Sequence, residues 1–171
     1  FYPDHADGTA SEGRSAEVKI DAFHDFEKSR IVGEFIFRGD EKDNGRRITE
    51  ARQAYFRSPF AGFDFFVGNR QEFWGKAESK NVVDVINQSD AAANEGKSGK
   101  LGAPSISAER YLDVGNLQLW YISSFREKTF NDSDAHPSSG VPVSSAQYAR
   151  KNGKDAHDFA ARLSSFAGDW D

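Results

Sequence analysis

Several small constellations in this 171-residue chain have residue types that could carry chemistry. Gly96-Lys97-Ser98 has the form of the end of a phosphate-binding loop. Ala91 stands where that pattern needs its first glycine, and Gly99, Gly102 and Pro104 deny it the helix whose N-terminus would face a phosphate. Residues 40–45 (DEKDNG) approach a calcium loop, but Lys42 interrupts the ligand spacing and Ala51 occupies the twelfth position, where a bidentate Glu is required. That stretch predicts a solvated turn. Asp132, Asp134 and His136 could meet a divalent cation, yet three ligands in a polar loop make a poor site. His5, His24, His136 and His157 form no i, i+4 pair and have no cysteine partners. With Cys 0, there is no thiolate metal site, no disulfide framework and no Cys nucleophile. Carboxylates are numerous, but nothing selects a catalytic pair. The expectation is a protein that is not an enzyme and that takes no metal and no cofactor.

More telling are charged residues inside otherwise apolar alternating runs: Arg70 and Glu72, then Glu109 and Arg110, then Arg162. In a soluble sheet they would form the solvated face. In a membrane barrel they would point into a water-filled lumen, where charge is kept and selects solutes. Glu109 and Arg110 are adjacent, so both cannot face a lumen at mid-depth, and one is expected near a rim. Trp74, Tyr111, Trp120 and Trp170 lie in or near strand ends. They suit an interfacial aromatic girdle, or the core or ligand-stacking positions of a soluble module.

The elements that position these residues are strands. Phe is abundant (15) and the first leucine is Leu101, a poor composition for a helical bundle. Residues 1–15 read as a polar tail, and residues 16–171 as one domain of strands and loops. Val18, Ile20 and Ala22 alternate with Lys19, Asp21 and Phe23, and residues 31–38 form a second apolar run. Residues 39–47 are a charged turn with an Asn-Gly signal. Residues 48–57 predict a strand ended by Ser58-Pro59. Residues 63–74 (FDFFVGNRQEFW) place Phe63, Phe65 and Val67 opposite Asp64, Phe66, Gly68, Arg70 and Glu72. Residues 105–112 and 117–125 predict a hairpin about Asp113-Val114-Gly115-Asn116. Residues 159–170 predict a last strand. Long polar stretches separate some of these runs, at 75–104 and 128–155, whereas others are joined tightly. A connection as long as 75–104 is usually functional.

Strands of about 9–12 residues and unequal loops match an outer-membrane barrel, whose tilted strands need about 9–11 residues. A soluble β-sandwich or jelly roll accounts for the same periodicity, and alternation alone does not choose between them. There is no apolar run long enough for a transmembrane helix. A net charge of −5 without a basic stripe gives no support for nucleic-acid binding.

Four stretches, in order, resemble a family of porin-like proteobacterial outer-membrane proteins of unassigned function. They are residues 63–76 (FDFFVGNRQEFWGK), residues 84–90 (DVINQSD), residues 101–104 (LGAP) followed by a hairpin ending in LQLWYI (117–122), and residues 159–171 (FAARLSSFAGDWD). The match departs from the family pattern at Asn69, at Gln88 where the family has Pro, and at Ser165 and Asp169 where Gly is usual. The resemblance implies an all-β, antiparallel transmembrane barrel in the bacterial outer membrane, with this chain as the N-terminal part of a larger one. It implies passive passage of small solutes, with hydrophobic or aromatic compounds the suspected class, and brings no catalytic residues. On this reading Arg70, Glu72 and Arg162 line the lumen, and the 75–104 loop folds inward or caps the mouth. The partners are outer-membrane lipid and lipopolysaccharide, the small-molecule solutes, and a second copy or an envelope-complex subunit. An open set of strands cannot sit in lipid, because its edge N–H and C=O groups would be unpaired. About seven strands, an odd number, therefore points to completion by further strands. The alternatives are a soluble extracytoplasmic β-sheet ligand-binding module and a structural barrel subunit without transport.

Overall fold

The computed structural model describes residues 13–75, 85–93, 99–130, 144–149 and 151–165. The Gly96-Lys97-Ser98 motif, the Asp132, Asp134, His136 trio and Trp170 lie outside them.

The chain is all-β. Seven strands, β1 (Ser15–Asp25), β2 (Arg30–Asp40), β3 (Ile48–Phe60), β4 (Phe63–Arg70), β5 (Ala103–Leu112), β6 (Gly115–Ile122) and β7 (Asp158–Ser165), form one sheet in sequence order. Every neighbouring pair is antiparallel. Among the described residues the sheet is open, with β1 and β7 at its two edges.

Connections alternate between tight and long. β1–β2, β3–β4 and β5–β6 are joined at one end by residues 26–29, 61–62 and 113–114. The connections 41–47, 71–102 and 123–157 leave and re-enter the sheet at the other end. The short turns have local causes. Asp25 and Arg30 pair across the first hairpin (Nη2 to Oδ2, 2.9 Å), where Phe26 N–H also donates to the Ser29 carbonyl. Ala61 and Gly62 both have positive φ (51° and 79°), the geometry whose twist matches a two-residue hairpin. Gly115 follows the 113–114 turn at φ 151°, and a Cβ there would sit 1.9 Å from the Ser164 carbonyl oxygen, so only glycine lets β6 approach β7.

Three boundaries differ from the pattern-based expectation. β3 continues through Ser58-Pro59 to Phe60. β2 has already ended, at Arg30 opposite Arg57, so Pro59 sits where β3 is an edge strand, a position that tolerates proline. β4 stops at Arg70, not Trp74. There Asn87 intercepts the backbone: its Nδ2 donates to the Arg70 carbonyl (2.9 Å) and its Oδ1 accepts from Glu72 N–H (2.6 Å), which carries the chain off the sheet. β4, β6 and β7 have 8 residues each, shorter than the run lengths suggested, whereas β1, β2, β3 and β5 have 11, 11, 13 and 10.

Register divides the sheet into two unlike faces. One carries Val18 and Ile20 of β1, then Ile31, Phe35 and Phe37 of β2. It continues with Phe56 of β3, Phe65 and Val67 of β4, Ile106 and Ala108 of β5, Leu117 and Leu119 of β6, and Phe159, Ala161 and Leu163 of β7. Among the strand residues, Arg110 is the one Asp, Glu, Lys or Arg on this apolar face. The other face takes the remaining strand charges, from Glu17, Lys19 and Asp21 in β1 to Asp158 and Arg162 in β7.

Burial runs opposite to a water-soluble sheet. On β5, Ser105, Ser107 and Glu109 of the polar face are buried, while Ile106 is 48% exposed. On β7, Phe159 and Leu163 are 80% and 64% exposed, with half-buried Asp158, Ala160, Arg162 and Ser164 between and beside them on the polar side. The cover over the polar face comes from the β4–β5 connection. Trp74 and Ile86 pack on Ala103 and Trp120, with Ile122 and Ala160 at the margin. β1, at the edge beyond this cover, is exposed along its whole length.

Candidate functional site

The polar face of β4–β7 is organised in rows by strand register. Asp64, Glu109, Gln118 and Arg162 stand side by side, and Phe66, Ser107, Trp120 and Ala160 form the next row. Arg70, two rows further along β4, reaches back over both. Its guanidinium stacks over Phe66 (3.7 Å to the ring centroid) and faces the Trp120 ring at 4.9 Å. It donates to Ser107 Oγ (3.0 Å) and Glu72 Oε2 (3.0 Å), and forms a short ion pair with Glu109. Gln118 Nε2 donates to the same Glu109 carboxylate at 3.0 Å. Arg162 lies over the Trp74 ring at 5.9 Å.

The structure thus brings Arg70, Glu72 and Arg162 to one face and one neighbourhood. Glu109 is the further member: it is buried and bonded to both Arg70 and Gln118. Its neighbour Arg110 takes the apolar face, near the end of β5, with its guanidinium 5.3 Å from the Phe63 ring centroid and beside Gly62. The two adjacent residues thus fall on opposite faces of the sheet.

The aromatic residues divide differently. Trp74 and Trp120, expected at an interface, are 8% and 2% exposed and pack together on the polar face. The cause is the inward turn after Arg70, which brings Trp74 over β6. Tyr111 is 73% exposed, next to the last residue of β5. Other aromatics gather at the short-turn end: Phe60 and Phe63 both contact Phe65, and Phe26 contacts His24. At the long-connection end of the apolar face, Tyr121 stacks on His157, with its hydroxyl 2.9 Å from His157 Nδ1, and meets the Phe159 ring at a tilt.

A second charged cluster was not singled out by its sequence. Asp90, whose side chain is fully buried, accepts from Arg38 Nη2 (2.6 Å) and Thr129 Oγ1 (2.5 Å), with Arg52 Nη2 at 4.0 Å. Arg52 is the extra residue of a bulge: the β2–β3 register slips between Glu34 and Phe35, so Arg52 and Gln53 together oppose Glu34. The bulge lets both side chains reach the polar side, where Gln53 Nε2 donates to Glu34 (3.1 Å) and Arg52 Nη1 lies 3.9 Å from it. Backbone bonds add to this anchor. Asp90 N–H donates to Gly99 O, Ala91 N–H to Thr129 O, Leu101 N–H to Gln88 O and Gly102 N–H to Arg52 O. Arg126 also bonds the Gly102 carbonyl and pairs with Glu50. The described parts of the β4–β5 connection are therefore fixed to β2, β3 and the segment after β6. Asn87 and Asp90 lie in the 84–90 stretch that carries part of the porin-like resemblance, which gave neither residue this anchoring role.

Between this cover and the ends of β6 and β7 lies a pocket of about 220 Å³, walled by Ile86, Leu101, Ala103, Ile122 and Phe125 with Arg126 and Asp158 at its polar side. The 40–45 stretch is a tight turn: Lys42 and Asp43 N–H both donate to Asp40 Oδ1, and Asp43 caps a 3₁₀ turn at Asn44–Arg46. No cluster of His, Cys, Asp or Glu suited to a metal ion occurs among the described residues. No described helix is long and apolar enough to cross a membrane, a statement that does not bear on strands.

No family model, curated protein or solved structure matches the chain.

Proposed function

We propose that this sheet is part of the wall of a porin-like outer-membrane β-barrel, through which small solutes pass by diffusion. The observation that carries the reading is the inversion of the two faces. Among the described residues the uncovered side is apolar, with Arg110 its one charged strand residue, while buried Ser107, Glu109 and Gln118 occupy the covered side. Water would oppose an apolar surface of that extent. Hydrocarbon would accept it, and would exclude charge from it. Arg110, at the strand end, can extend its guanidinium toward an interface while its stem stays in lipid.

Two further features support the same reading. Short turns alternate with long connections at opposite ends, the asymmetry of outer-membrane barrels. The porin-like resemblance of residues 63–76, 84–90, 101–104 with 117–122, and 159–171 points the same way. On this reading Arg70, Glu72, Glu109 and Arg162 lie on the lumen side, and the β4–β5 connection narrows the passage. Lipid and lipopolysaccharide are the partners of the apolar face, and small solutes those of the lumen. A soluble ligand-stacking module is less well served, because Trp74 and Trp120 are buried.

The test is detergent dependence together with conductance. The protein should need detergent to stay monodisperse, give a folded band that shifts on boiling, and open channels in planar bilayers. Arg70→Gln and Arg162→Gln should each shift ion selectivity toward cations. Unchanged selectivity in both would remove their role, and a protein monodisperse in plain buffer would remove the barrel.

A further inference from the structure

We infer that the polar face of β1–β3 is a binding strip for short zwitterionic peptides. The ammonium sits at Asp21 and Glu34, an apolar side chain lies on Phe23, and the carboxylate is held by Arg30 and Arg57. That this face lines a passage rests on the barrel reading above.

Register sets three successive rows here. Asp21 stands directly opposite Glu34, Phe23 opposite Val32 and then Tyr55, and Arg30 opposite Arg57. An acidic, an apolar and a basic row therefore follow one another along the strands. Like charges directly opposite each other destabilise a sheet, whereas opposite charges support it. The neighbouring pairs Glu17–Arg38 and Asp25–Arg30 follow that rule, but Asp21–Glu34 and Arg30–Arg57 break it.

The acidic row has capacity for a cation. Asp21 is exposed and makes no hydrogen bond or ion pair among the described residues. Lys19, the next residue on this face of β1, pairs with Glu17 at 3.3 Å. Glu34 accepts one hydrogen bond from Gln53 and has Arg52 at 3.9 Å. An ammonium carries three donors, enough to bridge both carboxylates.

The basic row has donors left over. Asp25 holds Arg30 from the β1 side through Nε and Nη2. Asp64 holds Arg57 from the β4 side through Nη2, at 2.9 Å to each oxygen. Arg30 Nη1 and Arg57 Nε and Nη1 make no hydrogen bond among the described residues. Register puts no carboxylate between the two guanidiniums. A ligand carboxylate there would take charge-assisted bonds from both and relieve their repulsion.

Phe23 joins the two ends. It is 70% exposed on the charged side of β1, with the Arg30 guanidinium 5.3 Å from its ring centroid. Val32 and Tyr55, both half-buried, continue the row. An exposed ring between acid and base offers its face to an apolar side chain. Glu34 and Arg30 are four residues apart on one strand, about 13 Å at about 3.3 Å per residue. An extended tripeptide spans about 10 Å, and the bonds at its two termini cover the rest. A free amino acid, whose charges are separated by one Cα, reaches only one row. Contacts this exposed are individually weak, as a passage requires if solutes are to leave as well as enter.

Saturation-transfer NMR on the native protein in deuterated detergent reads weak binding whether or not the protein conducts. The probe is alanyl-phenylalanyl-alanine, compared with its N-acetylated and C-amidated forms. The uncapped peptide should bind about two- to fivefold more tightly than either capped form. Asp21→Asn and Phe23→Ala should each weaken it by a similar factor, and N-acetylation should cost less in Asp21→Asn than in the parent. Both positions are exposed, so these variants should fold. Equal affinity for the three peptides, or affinity unchanged in both variants, would overturn the inference while leaving a conducting, detergent-dependent barrel intact. The expected preference in a protein monodisperse in plain buffer would remove the barrel and uphold the strip.

Discussion

Asp90 is the residue on which most of the inward-folded connection depends. Its carboxylate is buried and shared by Arg38 and Thr129, with Arg52 close by. Removing one partner of a buried ion pair leaves an uncompensated charge, at a cost of about 3–5 kcal/mol. Asp90→Ala should therefore lower unfolding stability by about that amount, and should expose Ala92, which is fully buried. An Ala92→Cys reporter, protected from maleimide in the parent, should label rapidly in the Asp90→Ala background. Tyr148 gives a second residue-scale expectation. Its hydroxyl donates to Glu127, and that hydrogen bond pushes its pKa up to about 12. The neutral phenol is the form favoured by folding, so the contribution is complete below the ordinary tyrosine pKa of about 10 and is lost as pH rises through about 12. Ultraviolet titration should show one late tyrosine that disappears in Tyr148→Phe and titrates earlier in Glu127→Gln. The site was partly legible at this scale. Arg70, Glu72 and Arg162 stand out as charges in apolar runs. Arg38, Arg52 and Asp90 do not, because their pairing joins residues far apart in sequence and depends on a bulge that alternation does not reveal.

At the scale of elements, side-chain periodicity was enough to place the strands, and local backbone chemistry decided where they end. The 63–74 run continues to alternate after Arg70, yet the strand stops because Asn87 takes the backbone groups that β5 would have bonded. Trp74 consequently leaves the sheet edge and joins Trp120 beneath the cover, a position no local pattern signals. Pro59 marked a strand end too early, since the loss of a donor matters little where β2 has ended. The division of faces makes a quantitative expectation. Leu119 lies mid-strand on the apolar face, opposite Ala108 and Ala161. On the proposed barrel reading, Leu119→Arg should destabilise the protein in lipid by about 2–4 kcal/mol, as a charge does on the lipid face of a barrel. Asp21→Arg, on the exposed polar side of β1, should change stability by no more than about 0.5 kcal/mol. Urea unfolding from lipid vesicles reads both. Equal costs would mean that the two faces meet the same solvent.

For the whole molecule, the account rests on one contrast among the described residues: a sheet whose charged side is covered over β4–β6 and whose apolar side is not. In water this arrangement would waste most of the hydrophobic driving force, since burial of apolar area is the dominant favourable term in folding. In a bilayer it is the expected arrangement, with lipid covering what the protein leaves bare. The measurement that tests this most directly is collisional accessibility of single nitroxide labels in lipid vesicles. Labels at Val67, Ile106 and Leu119 should collide freely with oxygen and weakly with a water-soluble nickel chelate, and a label at Asp21 should show the reverse. Nickel accessibility at all three apolar-face positions would contradict the account.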